Sequence, residues 1–139
     1  MLTTTSAVPH IKRGRARALC AVGGALAAAV AWGIEVPLLG IHLNVRFSGG
    51  PIQTIAIGQV IGVTVAAALL GWVLLALLER RAAHARRRWT TIAPAALAAS
   101  LALPLAAATT PSAVAGLIVM HLTIGAVVIP AMAHTAPAR

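Results

Sequence analysis

The stretch GWVLLALLERRAAHARRRWTT, from Gly71 to Thr91, places five arginines between two apolar segments. A helix needs about 20 consecutive apolar residues to cross a bilayer whose hydrocarbon core is about 30 Å thick. The apolar residues on each side of the arginines continue for roughly that length. Short basic loops between membrane spans stay on the cytoplasmic side. The stretch therefore predicts two membrane-spanning helices joined by a cytoplasmic loop.

The composition excludes a soluble domain. Of the 139 residues, 60% are hydrophobic and 9% are charged. Soluble domains average roughly 45–50% apolar and about 25% charged residues. The net charge of +9 does not indicate nucleic-acid binding, because only 3% of the residues are aromatic and able to stack on bases. The chain length fits one domain, and that domain is predicted to be an integral membrane protein.

Four apolar segments, each bounded by charge, proline or glycine, lie on the two sides of the arginines. The first is longer than the apolar core of a secretory signal peptide, which has about 7–15 residues, and this favours a membrane span. We predict an all-α fold, a four-transmembrane-helix bundle, with a basic tail at residues 1–17 and a short tail at residues 133–139. The predicted helices cover residues 18–39, 55–78, 91–108 and 112–132.

Prolines and a threonine predict local features of the last two helices. Pro94 falls in the first turn of the third predicted helix, where a missing N–H costs little, but Pro104 falls inside that helix and should kink it. Thr110 can cap the fourth helix, and Pro111 suits its first position. The short connection between the two helices predicts an antiparallel pair.

The basic residues predict the orientation in the membrane. With four spans, both termini and the loop between the second and third helices lie on one side. Ten of the 11 Lys and Arg residues belong to that side, and Arg46 alone belongs to the other. This bias predicts cytoplasmic termini and an up-down-up-down order in the cell (inner) membrane. The ten residues are Lys12, Arg13, Arg15, Arg17, Arg80, Arg81, Arg86, Arg87, Arg88 and Arg139.

Five polar residues within the predicted helices form two tiers by depth. At 1.5 Å per residue, Glu35 and Gln59 form an outer tier about 6 Å from the outer helix ends. Thr64, Ser100 and His121 form a central tier about 14 Å from the helix ends, near the midplane. Ionisable residues inside a membrane are candidates for function, and each needs a partner.

Two interpretations of Glu35 and His121 are open. In the structural one, Glu35 reaches water or pairs with Arg46, and a neutral His121 donates to a central-tier hydroxyl or to a backbone carbonyl freed by Pro104. In the functional one, Glu35 and His121 form a proton or cation relay across a depth difference of about 8 Å.

Small residues predict which helical faces are packed, because they let membrane helices approach closely. They accompany Glu35 on the first helix, Gln59 on the second and His121 on the fourth. We expect these faces to point into the bundle. The small residues are Gly24, Ala28 and Ala31 on the first helix, Gly58 and Gly62 on the second, and Gly125 on the fourth.

The arginine cluster is also a candidate site for anionic lipid headgroups, since each Lys or Arg near an anionic membrane surface contributes about 1 kcal/mol. The alternative is that the cluster only determines topology. The candidate contacts are Arg80, Arg81, Arg86, Arg87 and Arg88.

Several motifs resemble an uncharacterised family of small actinobacterial membrane proteins, a four-helix domain of unknown function. They are LLGWVLLALLER, RRRWT, the loop FSGGPIQ, and ATTPSAVAGLIVMHLTIGAVVIPAMA, in which the pair Met120 and His121 is the most specific part. The resemblance covers about residues 15 to 134. It implies an integral inner-membrane location, and it brings no established activity, substrate or catalytic residue.

We expect no cofactor, metal or catalytic site. Cys20 is the single cysteine, and two acidic residues cannot supply a paired-carboxylate or metal-binding arrangement. Small multidrug transporters also have four helices and a glutamate in the first. In this chain, however, Glu35 lies near the outer helix end, and the aromatic residues that would surround a cation are few.

The sequence thus predicts a non-enzymatic accessory or interaction component of the cell envelope. Its expected partners are the lipid bilayer and either further copies of itself or another membrane protein, and not nucleic acid. The alternative is a small proton- or cation-linked transporter or channel that uses Glu35 and His121.

Overall fold

The computed structural model describes residues 10–137, and within them the chain is almost entirely helical. Four segments are helices long and apolar enough to cross a membrane, as predicted. We call them spans one to four, and they comprise Lys12–Leu38, Ile57–Arg81, Ala85–Ala107 and Pro111–Thr135. The α-helices are α1 (His10–Gly33), α2 (Ile57–Arg81), α3 (Ala85–Ser100), α4 (Ala102–Ala107) and α5 (Pro111–Thr135), and a π-helical turn (Ile34–Leu38) continues α1.

The helices extend beyond the apolar segments from which they were predicted. Helix α1 begins at His10 rather than near residue 18, and α3 begins at Ala85 rather than at residue 91. Hydropathy marks the part of a helix that suits lipid, whereas backbone hydrogen bonding continues through Lys and Arg, which are good helix formers. Residues 10–17 of the predicted basic tail are therefore helical. Residues 1–9 and the basic residue Arg139 lie outside the described residues.

The third span is interrupted, as Pro104 predicts. Helix α3 ends at Ser100 and α4 begins at Ala102. Because Pro104 has no N–H, the Ser100 carbonyl lacks its usual donor one turn later. Just before this break, the Leu101 N–H donates to the Ala98 carbonyl, three residues earlier, at 3.2 Å. The last turn of α3 is therefore tighter than an α-helical turn.

Two other local predictions had different outcomes. Thr110 Oγ1 accepts a hydrogen bond from the Ala113 N–H at 3.2 Å, and Pro111 occupies the first helical position, so the predicted cap is confirmed. Pro94 does not lie in the first turn of its helix. Because α3 begins earlier than predicted, Pro94 lies inside it.

The four spans form a bundle with two clusters of buried side chains. Helix α1 packs chiefly on α2 and α5, and α3 packs on α5 and α2. One cluster lies at the end where span one leads into span two, which we call the hairpin end. The other lies near the arginines, at what we call the arginine end, and includes Leu75, Trp89, Ala93, Met132, Ala133 and Ala136.

A β-hairpin covers the hairpin end of the bundle. Strands β1 (Asn44–Val45) and β2 (Gln53–Thr54) pair antiparallel. Val45 also bridges to Ala108, so the hairpin is tied to the end of span three as well. Leu43 and Val45 are 0% and 2% exposed and belong to the buried cluster there. From the sequence this region was predicted only as the loop FSGGPIQ.

The small-residue faces were predicted correctly on span one and wrongly on span two. Gly24, Ala28, Ala31 and Glu35 are all buried. Gly58 and Gly62 are exposed, and a Cβ atom on either would meet nothing within 4 Å. Helix α2 instead turns a different face inward, made of Val60, Thr64, Ala68 and Leu75. Gly125 of span four is packed against the Leu97 side chain.

Candidate functional site

Glu35 lies in the π-helical turn that ends span one. Pro37, within the same turn, has no N–H and its ring is incompatible with a regular α-helical turn. The wider turn is closed by the Leu39 N–H, which donates to the Ile34 carbonyl at 3.0 Å, five residues earlier. Single π-turns redirect side chains and occur often at functional sites.

The carboxyl group of Glu35 is enclosed and has no hydrogen-bond partner. The residue is 4% exposed, and neither Oε1 nor Oε2 has a partner within residues 10–137. A Cβ atom at Gly116 would lie 3.0 Å from Glu35 Oε2 and 3.0 Å from Leu43 Cδ2. The carboxyl group therefore occupies space that is open only because position 116 is a glycine.

This environment restricts what Glu35 can do. An ionised carboxylate enclosed without a partner carries a desolvation penalty of several kcal/mol. A proton, a cation or a hydrogen-bond donor at the carboxyl group would remove that penalty. The site is thus suited to exchange a small positively charged species, provided that the hairpin above it gives access.

The Lys or Arg residue nearest to Glu35 in the sequence does not compensate for the charge of Glu35. Arg46 is exposed and forms no ion pair with Glu35 in the described chain. Its backbone N–H donates to the Ala107 carbonyl at 2.8 Å, which places it on the hairpin strand that faces span three. The expected Glu35–Arg46 pair is therefore absent.

The second residue of the outer tier has a local role. Gln59 is exposed, and its Oε1 accepts a hydrogen bond from the Ala56 N–H at 2.9 Å. It thereby closes the first turn of α2, as a residue at the third helical position commonly does. Gln59 does not contact Glu35 through a hydrogen bond.

The central tier does not form a polar network. Thr64 is buried on α2, whereas Ser100 is exposed and donates to the Leu97 carbonyl at 2.6 Å. His121 is half-buried, and its Nδ1 lies 2.7 Å from the Leu117 carbonyl of the preceding turn. A carbonyl accepts only, so Nδ1 carries the proton in this contact.

The predicted partners of His121 were therefore wrong. No hydrogen bond joins His121 to another central-tier residue, to the Pro104 region or to Glu35 within residues 10–137. In both His121 and Ser100 the side chain bonds to a carbonyl of the preceding helical turn, and such local bonds compete with bonds between helices. The sequence predicts a common depth for the central-tier residues, but no hydrogen bond joins their side chains within residues 10–137.

Arg17 connects three spans at the arginine end through an ion pair and a hydrogen bond, neither of which was predicted from the sequence. Arg17 Nη2 donates to Glu79 Oε1 at 2.5 Å, and Arg17 Nε donates to Thr135 Oγ1 at 3.1 Å. The side chains of Arg17 and Glu79 are 5% and 18% exposed. One feature of the sequence could have indicated this ion pair. Glu79 lies at the end of one apolar segment and Arg17 at the start of another, so antiparallel helices would place them at the same depth.

The five arginines of the cluster are all exposed. They flank Trp89, which points into the bundle and donates from Nε1 to the Ile129 carbonyl at 3.0 Å. Two of the five line a shallow, open groove at the start of α3, formed by His84, Arg87, Arg88, Thr91 and Ile92.

Comparison with known proteins places the chain in a family without an assigned activity. No curated protein and no solved structure matches the chain. The model of DUF6069, a family of unknown function, matches residues 9–138 and therefore nearly all of the sequence. The chain belongs to the DUF6069 family.

Proposed function

We propose that this protein is a multi-pass protein of the cell (inner) membrane, with spans in up-down-up-down order and both termini in the cytoplasm. The ten-to-one division of basic residues supports this orientation. The antiparallel order is supported by contacts between opposite ends of successive spans. Arg17, early in span one, binds Glu79 at the end of span two, and Trp32 near the end of span one donates to the Ile55 carbonyl just before span two.

We infer that the protein is a non-enzymatic accessory or interaction component of the cell envelope. The observation that carries this inference is that buried side chains fill both ends of the bundle. The hairpin covers one end, the Arg17–Glu79 pair crosses the other, and no hydrogen bonds link the central-tier residues across the described chain.

The outward face of span three is the surface we assign to a partner. Of the four spans, its apolar window is the least buried within the described chain, at 11%. Leu103 and Leu105 are 58% and 63% exposed there. In a bilayer this face contacts lipid or another helix, and van der Waals packing is the interaction that it offers.

Photocrosslinking in native membranes tests the accessory role. A photoreactive phenylalanine replaces Leu103, and the same group replaces Leu26 on span one, which is 62% exposed, as the matched control. We expect a protein adduct of defined mass from position 103 and mainly lipid adducts from position 26. Lipid adducts alone at both positions, together with measurable ion flux by the purified protein, would contradict the accessory role.

A second candidate function, proton- or cation-linked transport, is favoured by the unpartnered carboxyl group of Glu35. In this function Glu35 takes up a proton or cation beneath the hairpin and passes it to His121. Because no hydrogen bond joins the two within residues 10–137, transfer requires a water molecule or a movement of the hairpin.

Flux into proteoliposomes tests the transport function. We expect Glu35→Gln and His121→Ala each to abolish proton-coupled flux, whereas Gln59→Leu, a change at an exposed position, leaves it intact. Replacing the unpartnered carboxyl group should also leave thermal stability unchanged or raised. Unchanged flux in both variants, or none in the unaltered protein, excludes this function.

A further inference from the structure

We propose that the groove formed by His84, Arg87, Arg88, Thr91 and Ile92, which we call the α3 groove, binds the phosphate of an anionic phospholipid headgroup of the phosphatidylglycerol type. The proposal goes beyond the accessory role by naming a lipid ligand. It rests on the proposed orientation in one respect only, which is that the lipid belongs to the cytoplasmic leaflet. It narrows the contact from the whole arginine cluster to two of its members.

The charge at the arginine end supports an anionic ligand. Glu79 is the one acidic residue there within residues 10–137, and Arg17 binds it. Arg87 and Arg88 consequently have no carboxylate partner in the described chain. Two guanidinium groups that are exposed and unpaired on one short segment attract phosphate strongly, because each can donate two parallel hydrogen bonds to its oxygens.

The lining of the α3 groove favours a lipid over a free ion. The groove is shallow and open to one side, and one of its five lining residues, Ile92, is apolar. Ile92 lies one turn beyond Arg88 toward the apolar part of span three, so a headgroup held by the arginines would extend its glycerol and acyl chains along the apolar helix. A free phosphate would leave the Ile92 side chain without a partner.

The start of α3 is held firmly enough to keep the groove in place. Trp89 is 3% exposed, and its indole N–H donates to the Ile129 carbonyl of α5 at 3.0 Å. Thr91 Oγ1 donates to the Arg87 carbonyl at 3.1 Å, which closes the turn that carries both arginines. The backbone that carries the groove residues therefore does not have to be ordered by the ligand, and this preorganisation lowers the cost of binding.

Charge-matched variants of the full-length protein test the proposal. Thermal unfolding is compared in nanodiscs of phosphatidylcholine alone and of phosphatidylcholine mixed equally with phosphatidylglycerol. We expect the unaltered protein to have a higher Tm in the mixed discs. Arg87→Gln combined with Arg88→Gln should lose most of this gain. Arg80→Gln combined with Arg81→Gln, which removes the same charge outside the groove, should keep most of it.

Two control experiments follow. One distinguishes a lipid phosphate from free phosphate, and the other distinguishes lost binding from misfolding as the cause of a lost gain in Tm. Inorganic phosphate added to phosphatidylcholine discs should leave Tm unchanged, and an equal gain would assign the groove to a free anion. Arg87→Lys with Arg88→Lys keeps the charge and should retain part of the gain, which controls for misfolding. Equal losses in the two Gln variants would overturn the proposal and leave only general electrostatic attraction. Both leaflets of a nanodisc contain the anionic lipid, so these results do not depend on orientation in the cell.

Discussion

Glu35 and Glu79, the only two acidic residues of this chain, have opposite environments. The Glu79 carboxylate forms an ion pair with Arg17, which also donates a hydrogen bond to Thr135, and so Arg17 connects three spans. The Glu35 carboxyl group is enclosed by Gly116 and Leu43 and has no partner within residues 10–137. An ion pair in an apolar setting fixes the position of one helix against another. A buried charged group without a partner destabilises the fold, and a functional role can explain why the protein has it.

At the residue scale, we predict that Arg17→Gln lowers the free energy of unfolding by about 3 kcal/mol, because it leaves the mostly buried carboxylate of Glu79 without its charge partner. Equilibrium unfolding in mixed micelles measures the change. The double variant Arg17→Gln/Glu79→Gln should be less destabilised than Arg17→Gln alone.

The matched control for this prediction is Arg15→Gln. Arg15 is exposed on the same helix and carries the same charge, so its replacement should change stability by less than about 1 kcal/mol. If Arg15→Gln and Arg17→Gln were equally destabilising, the ion pair would not be the cause.

At the element scale, glycine marks close packing on one helix and open surface on another. A Cβ atom at Gly24 would lie 2.6 Å from Val128 Cγ2 of span four. Valine in a helix has essentially one side-chain rotamer and cannot turn away. At Gly62 a Cβ atom would meet nothing within 4 Å. The same residue type therefore has opposite consequences in α1 and α2.

We predict that Gly24→Ala destabilises the bundle by about 1–3 kcal/mol through overpacking. Gly62→Ala should instead stabilise it by up to about 1 kcal/mol, because alanine is the better helix former. Thermal unfolding of both variants in the same detergent compares them. A loss of stability in Gly62→Ala, accompanied by loss of an oligomer, would show that the Gly58–Gly62 face packs against a second chain.

The elements also show where sequence reasoning succeeded and where it did not. The break before Pro104 and the cap at Thr110 depend on atoms within a few residues of each other, and both were predicted. The inward face of α1 was predicted from the spacings of four, three and four residues that lead from Gly24 to Glu35, although Ala25, Ala27 and Ala29 also lie on its other sides. On α2 small residues also occur on more than one side, and there they did not indicate which face Val60 and Thr64 would turn inward.

At the scale of the whole molecule, the proposed orientation makes a labelling prediction. In a Cys20→Ser background, Ser48→Cys in the hairpin turn should react with a membrane-impermeant maleimide on intact cells. Ala83→Cys, in the loop between spans two and three, should react only after permeabilisation. Both positions are exposed, so access to the reagent depends on the side of the membrane.

The reverse labelling pattern would contradict the proposed orientation while leaving the fold intact. Labelling at both positions in intact cells would indicate mixed insertion. Neither outcome bears on lipid binding in the α3 groove, which is measured in purified protein.

The sequence by itself determined the number of helices long and apolar enough to span a membrane, the break in the third and the cap of the fourth, because each depends on hydropathy or on neighbouring backbone atoms. Only the tertiary structure decided the rest. The closure of the hairpin end by Leu43 and Val45, the burial of Glu35 against Gly116, and the Arg17–Glu79 pair each join residues far apart in the chain. Depth along a helix can be counted from the sequence, but the direction of a side chain depends on which neighbouring helix it meets.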